Sequence, residues 1–260
     1  TTTMNPSSKS TAPLLRIGMI GAGTVGGGVY DLIMNRLGGT KAVISKICVR
    51  DVTKSRSFDL NENLTDIVTN VNDILEDEEI DCVVEVMGGT NLAKVVVMEA
   101  LKRGKSVVTA NKALIAENLE DFVNESKFAY EAAVCGGIPI INTLQSCYAG
   151  DIIHEVMGIC NGTTNYMLGK MEEGADYDEV LKEAQELGFA EADPTADVEG
   201  HDVRAKIAIL AKLAFGQIVP VSSIPCCGIT QISSIDFEYA KLLNCTIKLV
   251  GTAARLSEYA

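Results

Sequence analysis

Short apolar runs and helically spaced apolar positions alternate through the first half of the chain. Residues 14–20 form an apolar run that ends in glycines, and Val29, Leu32, Ile33 and Leu37 then recur at the spacing that turns one face of a helix toward a sheet. The alternation repeats with a run at 42–49, helical spacing near 66–75, and a run at 81–90. It continues with a helix over 91–103 closed by Gly104, a run at 106–110, a helix over 117–127 and a run at 128–134. Strands alternating with helices predict the α/β class, a Rossmann-like doubly wound parallel sheet whose ligands lie beyond the carboxyl ends of the strands.

Beyond Pro139 the rhythm changes. Helical spacing near Leu144, an apolar stretch at 151–160, a turn into a helix at 161–165 and an amphipathic helix over 177–187 predict an α+β domain. A further helix starts near His201, residues 216–235 are loop-rich, and 245–256 reads as a strand. The expected division is a dinucleotide-binding domain over 14–140 and a substrate-binding, catalytic domain over 141–260, with the Ser/Thr-rich residues 1–13 as a flexible tail that has nothing to bury.

Composition narrows the class of partner. An apolar content of 47% supports a sizeable core, and no apolar run approaches the roughly 18 residues that span a bilayer. With no apolar signal region at the start, a cytoplasmic location is expected. A net charge of −13 repels nucleic-acid phosphates and anionic lipids, so the expected partner is a small molecule. The 8 cysteines form no C-x-x-C pair and the 2 histidines, His154 and His201, lie far apart, which argues against structural zinc and suits reduced thiols.

Candidate chemistry sits at the strand ends. In Gly21-Ala-Gly23-Thr24-Val25-Gly26, Gly21 permits a tight turn, Gly23 lets the backbone approach a pyrophosphate, and Gly26 lets the helix pack on the strand while its first residues face the phosphates. After the next run, two readings compete: Asp51 suits the ribose hydroxyl of NAD, whereas Arg50 with Lys54 and Arg56 suits the 2′-phosphate of NADP, and NADP is favoured. Thr90 and Lys112 also follow apolar runs, where they face the same cofactor crevice. The glycines of 131–138 read as a tight bend, with a cation held by turned carbonyls as the alternative.

Residues 188–210 crowd 5 carboxylates and a lysine between two helical patterns. Pro194 and Gly200 predict that Glu191, Asp193, Asp197 and Glu199 lie on loop backbone. Asp202 and Lys206 stand four apart, so one face of the following helix presents both and the carboxylate holds the ammonium in place.

The segment from Gly188 to Lys206 resembles the motif of homoserine dehydrogenase: glycine-aromatic, an acidic residue, Asp-Pro, then Asp, Gly, Asp and Lys at the family's spacing. Gly-Ala-Gly-Thr-Val-Gly at 21, Thr-Ala-Asn-Lys at 109, Glu-Ala-Ala-Val at 131 and Asn-Gly-Thr-Thr-Asn-Tyr at 161 resemble the same family in the same order. The resemblance implies NAD(P)-dependent interconversion of L-homoserine and L-aspartate 4-semialdehyde, on the route to threonine and methionine. It implies Lys206 as proton donor and acceptor, Asp202 as its neighbour, Lys112 near nicotinamide and substrate, and Glu191 and Asp197 at the ammonium and hydroxyl ends of the substrate. It also implies a structural sodium ion at Glu131, Val134, Gly136 and Ile138, and a homodimer. The family runs on past this point with strands that complete the dimer-forming sheet and a helix returning to the cofactor domain, so dimerisation and full activity are expected to depend on segments outside these 260 residues. Two other readings predict different behaviour: a semialdehyde oxidoreductase using Cys135 as nucleophile, and a non-catalytic module that binds a dinucleotide without turnover.

Overall fold

The computed structural model describes residues 14–56, 58–122 and 125–255; the tail expected at 1–13 lies outside the described residues. By internal contacts the chain divides into two compact units, 1–109 with 126–129, and 110–125 with 130–260.

The first unit is a six-stranded parallel sheet built from β1 (Leu15–Ile20), β2 (Ala42–Cys48), β3 (Asp66–Val68), β4 (Cys82–Glu85), β5 (Ser106–Thr109) and β6 (Phe128–Ala129). Its order, β3-β2-β1-β4-β5-β6, reverses direction between β1 and β4, which places the topological switch point at their carboxyl ends. The strands are mostly apolar because helices cover such a sheet on both faces. Between β1 and β2 the chain forms α1 (Thr24–Tyr30), which continues as a π-helical turn over Asp31–Arg36. Tyr30 and Met34 from this helix bury against Ile17, Met19, Ile44 and Val84. The Tyr30 hydroxyl accepts from the Asn61 backbone N–H at 2.9 Å, so it ties the loop before β3 to the core. β3 and the turn after it take the place of much of the helix expected at 66–75, of which only α2 (Asn72–Leu75) forms.

After β4 comes α3 (Asn91–Lys102). The helix expected over 117–127 begins earlier and breaks in two, α4 (Lys112–Glu117) and α5 (Leu119–Phe122). Asn111 supplies the missing start signal, its side chain accepting from the Leu114 N–H at 3.1 Å, and Asn118 interrupts the run by donating back to the Leu114 carbonyl at 2.8 Å. The run at 128–134 is strand only at β6, because Glu131–Ala133 coils into a 3₁₀ turn.

In the second unit, α6 (Ile140–Asn142) runs into a π-helical turn over Thr143–Cys147, and β7 (Glu155–Gly158) leads to α7 (Gly162–Glu172) and α8 (Tyr177–Glu186). Then follow α9 (Thr195–Val198), α10 (His201–Phe215), α11 (Ser234–Leu242) and β8 (Gly251–Ala254), which pairs antiparallel with β7. Met167, Leu168 and Met171 of α7 form a core with Val180, Val198, Ile229 and Phe237. α11 begins in the stretch that reads as loop, started by a capping box in which Ser233 and Asp236 satisfy each other's backbone.

Candidate active site

In the loop from β1 into α1, Gly21 and Gly26 stand where a side chain would meet backbone, and Gly23 does not. Gly21 has φ +106°, and a Cβ there would fall 2.4 Å from the Val86 carbonyl oxygen; a Cβ on Gly26 would fall 2.5 Å from the Gly21 carbonyl oxygen. At Gly23 a Cβ would meet nothing within 4 Å, so the side left bare faces open space at the helix start. Thr24 and Val25 open α1 with their backbone N–H groups, and the Gly23 carbonyl accepts from Gly27 at 2.8 Å. A parallel arrangement follows β4, where Thr90 precedes α3 and its carbonyl accepts from Lys94 at 2.9 Å. Between these two helix starts, Glu85 is wholly buried: one oxygen accepts from the Met87 N–H at 2.9 Å and the other from the Thr109 hydroxyl at 2.6 Å.

Past β2 the two competing residues are turned differently. Asp51 accepts from both the hydroxyl and the backbone N–H of Thr53, which hold its carboxyl below the usual range and bind it into its own turn. The Arg56 guanidinium donates to the carbonyls of Asp51 and Lys54, each at 2.9 Å, so it braces the loop. Arg50 is exposed and has no hydrogen-bond or ion-pair partner among the described residues.

In the second unit, Asp202 occupies the first turn of α10 with 4% of its surface exposed. Its Oδ2 accepts from Lys206 Nζ at 2.6 Å and its Oδ1 from Lys112 Nζ at 2.8 Å, so one carboxylate joins the two lysines singled out by sequence. Burial pushes its pKa up, but hydrogen bonds from Asn161, Lys112 and Lys206, with the Lys206 charge, outweigh that and leave it lowered. Lys206 also donates to the Cys160 carbonyl at 2.6 Å, which leaves one of its three ammonium hydrogens uncommitted. This is no ordinary surface pair, since Lys206 is itself only 14% exposed.

The acidic segment is partly helical. Asp197 lies in α9, not on loop, because Asp193 accepts from the N–H and hydroxyl of Thr195 and starts a turn there. Asp197 meets Asn161 at 2.6 Å, whereas the Glu191 carboxylate is exposed and has no partner among the described residues. Asn161, which the pattern placed only in a turn, also reaches Asp202 at 2.9 Å. Glu131 turns both oxygens onto the start of α6, accepting from Ile141 at 2.9 Å and Asn142 at 2.8 Å, and the Ile138 carbonyl accepts from Ile140 at 2.8 Å. Cys135 lies beside the Cys160 thiol, which burial and that neighbour push up to about 11. The ring of His201 instead meets Cys226 Sγ at 3.8 Å, and neither His154 nor His201 hydrogen-bonds Cys135 among the described residues.

The family models for the homoserine dehydrogenase NAD-binding domain and for homoserine dehydrogenase match residues 21–130 and 139–259. Homoserine dehydrogenase of Bacillus subtilis is 44% identical over 253 residues, 93% of this chain and 58% of the relative. A crystal structure of homoserine dehydrogenase from Thiobacillus denitrificans superposes with a TM-score of 0.85 at 39% identity, over 94% of this chain and 59% of that one. A candidate homoserine dehydrogenase of Archaeoglobus fulgidus gives a TM-score of 0.79 at 32% identity, over 93% of this chain and 81% of its own. The chain thus spans somewhat under two thirds of its first relatives, yet matches them through both of its units. By these matches the chain belongs to the homoserine dehydrogenase family.

Proposed function

We propose that the chain interconverts L-homoserine and L-aspartate 4-semialdehyde with a nicotinamide dinucleotide, and that Lys206 moves the proton. The observation that carries this reading is the Lys112–Asp202–Lys206 bridge: a buried carboxylate holding two cations, one with a hydrogen to spare. The dinucleotide, when bound, supplies or accepts the hydride. In the reducing direction the Lys206 ammonium stabilises the alkoxide that develops on the aldehyde oxygen and gives it a proton; in the oxidising direction the neutral amine takes that proton back. Lys112 binds the other oxygen of the same carboxylate, so Asp202 is held between two cations and presents Lys206 in a fixed position. Glu191 and Asp197 are the acidic groups for the ammonium and hydroxyl ends of the amino acid, a role supported for Glu191 by its unpartnered, exposed carboxylate.

Gly21, Gly23, Thr24, Val25, Gly26 and Thr90 are read as the pyrophosphate cradle, supported by the open space over Gly23. Arg50 is read as the contact for a 2′-phosphate and hence NADP as the preferred cofactor, with NAD also accepted. The bare guanidinium of Arg50 and the inward turn of Asp51 support that choice. Hard oxygen donors suit a structural sodium ion at Glu131, Val134, Gly136 and Ile138: each Glu131 oxygen and the Ile138 carbonyl keep a lone pair beyond the hydrogen bond each accepts. A homodimer and a cytoplasmic setting complete the reading on family grounds.

The test is nicotinamide absorbance with L-homoserine, comparing NADP with NAD and the parent with Lys206→Ala. Turnover that falls by about 10²- to 10⁴-fold in the variant while cofactor binding persists is the expected result. Cofactor binding by the parent without any turnover would instead identify a dinucleotide-binding module, a reading kept open by the 58% span of the B. subtilis relative.

A further inference from the structure

Every hydrogen-bonding site on the Asn161 side chain is in use. Its Oδ1 accepts from the Thr164 backbone N–H at 2.8 Å and from the Thr164 hydroxyl at 2.9 Å, which caps the start of α7. Its Nδ2 gives one hydrogen to Asp197 at 2.6 Å and the other to Asp202 at 2.9 Å. Capping needs the oxygen alone, so Ser, Thr or Asp would serve as well. The two N–H groups exceed that need, and both go to carboxylates, one on α9 and one on α10.

Two carboxylates on one nitrogen repel each other, and a like charge so near ordinarily favours protonation of one of them. A donor shared between them opposes that, since each N–H bond to an ionised oxygen favours the charged form. The other groups facing Asp202 are Lys112 from α4, Lys206 from its own helix and the Cys160 thiol next to Asn161.

We infer that Asn161 is a positioning residue that fixes the substrate-facing Asp197 against the Lys206-holding Asp202, so that one side chain sets both where the amino acid sits and how the proton-transferring lysine is held. The inference rests on the proposed dehydrogenase roles of Asp197, Asp202 and Lys206. It predicts that loss of the donors, with the cap retained, disturbs binding and proton transfer together.

Asn161→Ser and Asn161→Asp keep a capping oxygen and remove the two N–H groups shared between the carboxylates, the shorter serine leaving at most one O–H donor; Asn161→Ala removes cap and donors alike. The deciding measurement is a carboxyl ¹³C NMR titration of the aspartate-labelled full chain, with Asp197 and Asp202 assigned through Asp→Asn variants. In Asn161→Ser the Asp202 midpoint is expected to rise by about one pH unit, with a melting temperature near that of the parent. The kinetic arm, with L-homoserine and NADP, is expected to show KM raised and kcat lowered, each by about tenfold, in both capped variants, as loss of a hydrogen bond to a charged group implies. Unmoved aspartate midpoints in both capped variants, with a lowered melting temperature in Asn161→Ala alone, would reduce Asn161 to a helix cap and overturn the inference. Should the parent fail to turn over L-homoserine while the midpoints move as expected, the dehydrogenase reading falls and the positioning of the two carboxylates stands.

Discussion

Asp202 accepts from three side chains in a nearly closed setting, so its ionisation and the stability of the second unit are linked. Its folded pKa is depressed, and a depressed carboxyl contributes stability that is present above the unfolded value near about 4 and is lost as pH falls through the lower, folded value. Asp202→Asn removes that charge and leaves Lys206 beside an amide, which is expected to cost about 3 kcal/mol at neutral pH, the lower end for a broken buried pair because the Cys160 carbonyl still receives Lys206. Thermal melts of parent and variant from pH 7 downward should therefore converge at the acid end, below the ordinary carboxylate range. Parallel melting curves across that whole range would mean that Asp202 is not held ionised by its partners. The four-residue spacing made the Asp202–Lys206 contact legible in sequence. The link from Asn161 was not: it spans 36 residues to Asp197 and 41 to Asp202, separations that no local periodicity encodes.

At the scale of elements, the turn from β1 into α1 separates two roles that glycine can play. Gly26 is packed against the Gly21 carbonyl, whereas Gly23 faces open space at an ordinary φ of −82°. Gly26→Ala must shift backbone and is expected to destabilise the first unit by about 1–3 kcal/mol. Gly23→Ala fits the apo fold and removes unfolded-chain entropy, so it should leave the melting temperature unchanged or slightly raised. Its methyl group occupies the space a pyrophosphate needs, so dinucleotide affinity, read by fluorescence titration, should fall at least about tenfold. Equal affinity in parent and Gly23→Ala would remove this loop from the cofactor site. Such a turn is readable from sequence because its geometry admits few residues. The same holds for α3, closed at Gly104, and for the start of α10 after Gly200. Among the elements that departed from expectation, α4 with α5 and the late α11 are set by Asn111, Asn118 and the Ser233–Asp236 box, short polar caps that decide boundaries where apolar spacing alone leaves them open.

For the whole molecule, a net charge of −13 opposes any dinucleotide, and NADP, with its extra phosphate, more than NAD. A preference for NADP therefore has to come from a local contact strong enough to reverse the overall field, and Arg50 is an exposed cation two residues past β2 with no competing partner among the described residues. The two contributions separate by range. At about 0.15 M salt the screening length is about 8 Å, so charge spread over the molecule is already largely screened, while a guanidinium in contact with a phosphate is not. Raising salt from there to about 1 M, where the length shrinks to about 3 Å, weakens mainly the contact. The ratio of NADP to NAD affinity is thus expected to decline over that interval in the parent. In Arg50→Ala NADP binding should fall about tenfold, NAD binding should stay near the parent value, and the ratio should become nearly independent of salt. A ratio unaffected by Arg50→Ala, whatever its salt dependence, would transfer the discrimination to another group, and a parent that prefers NAD would return the role to Asp51 despite its bonds to Thr53.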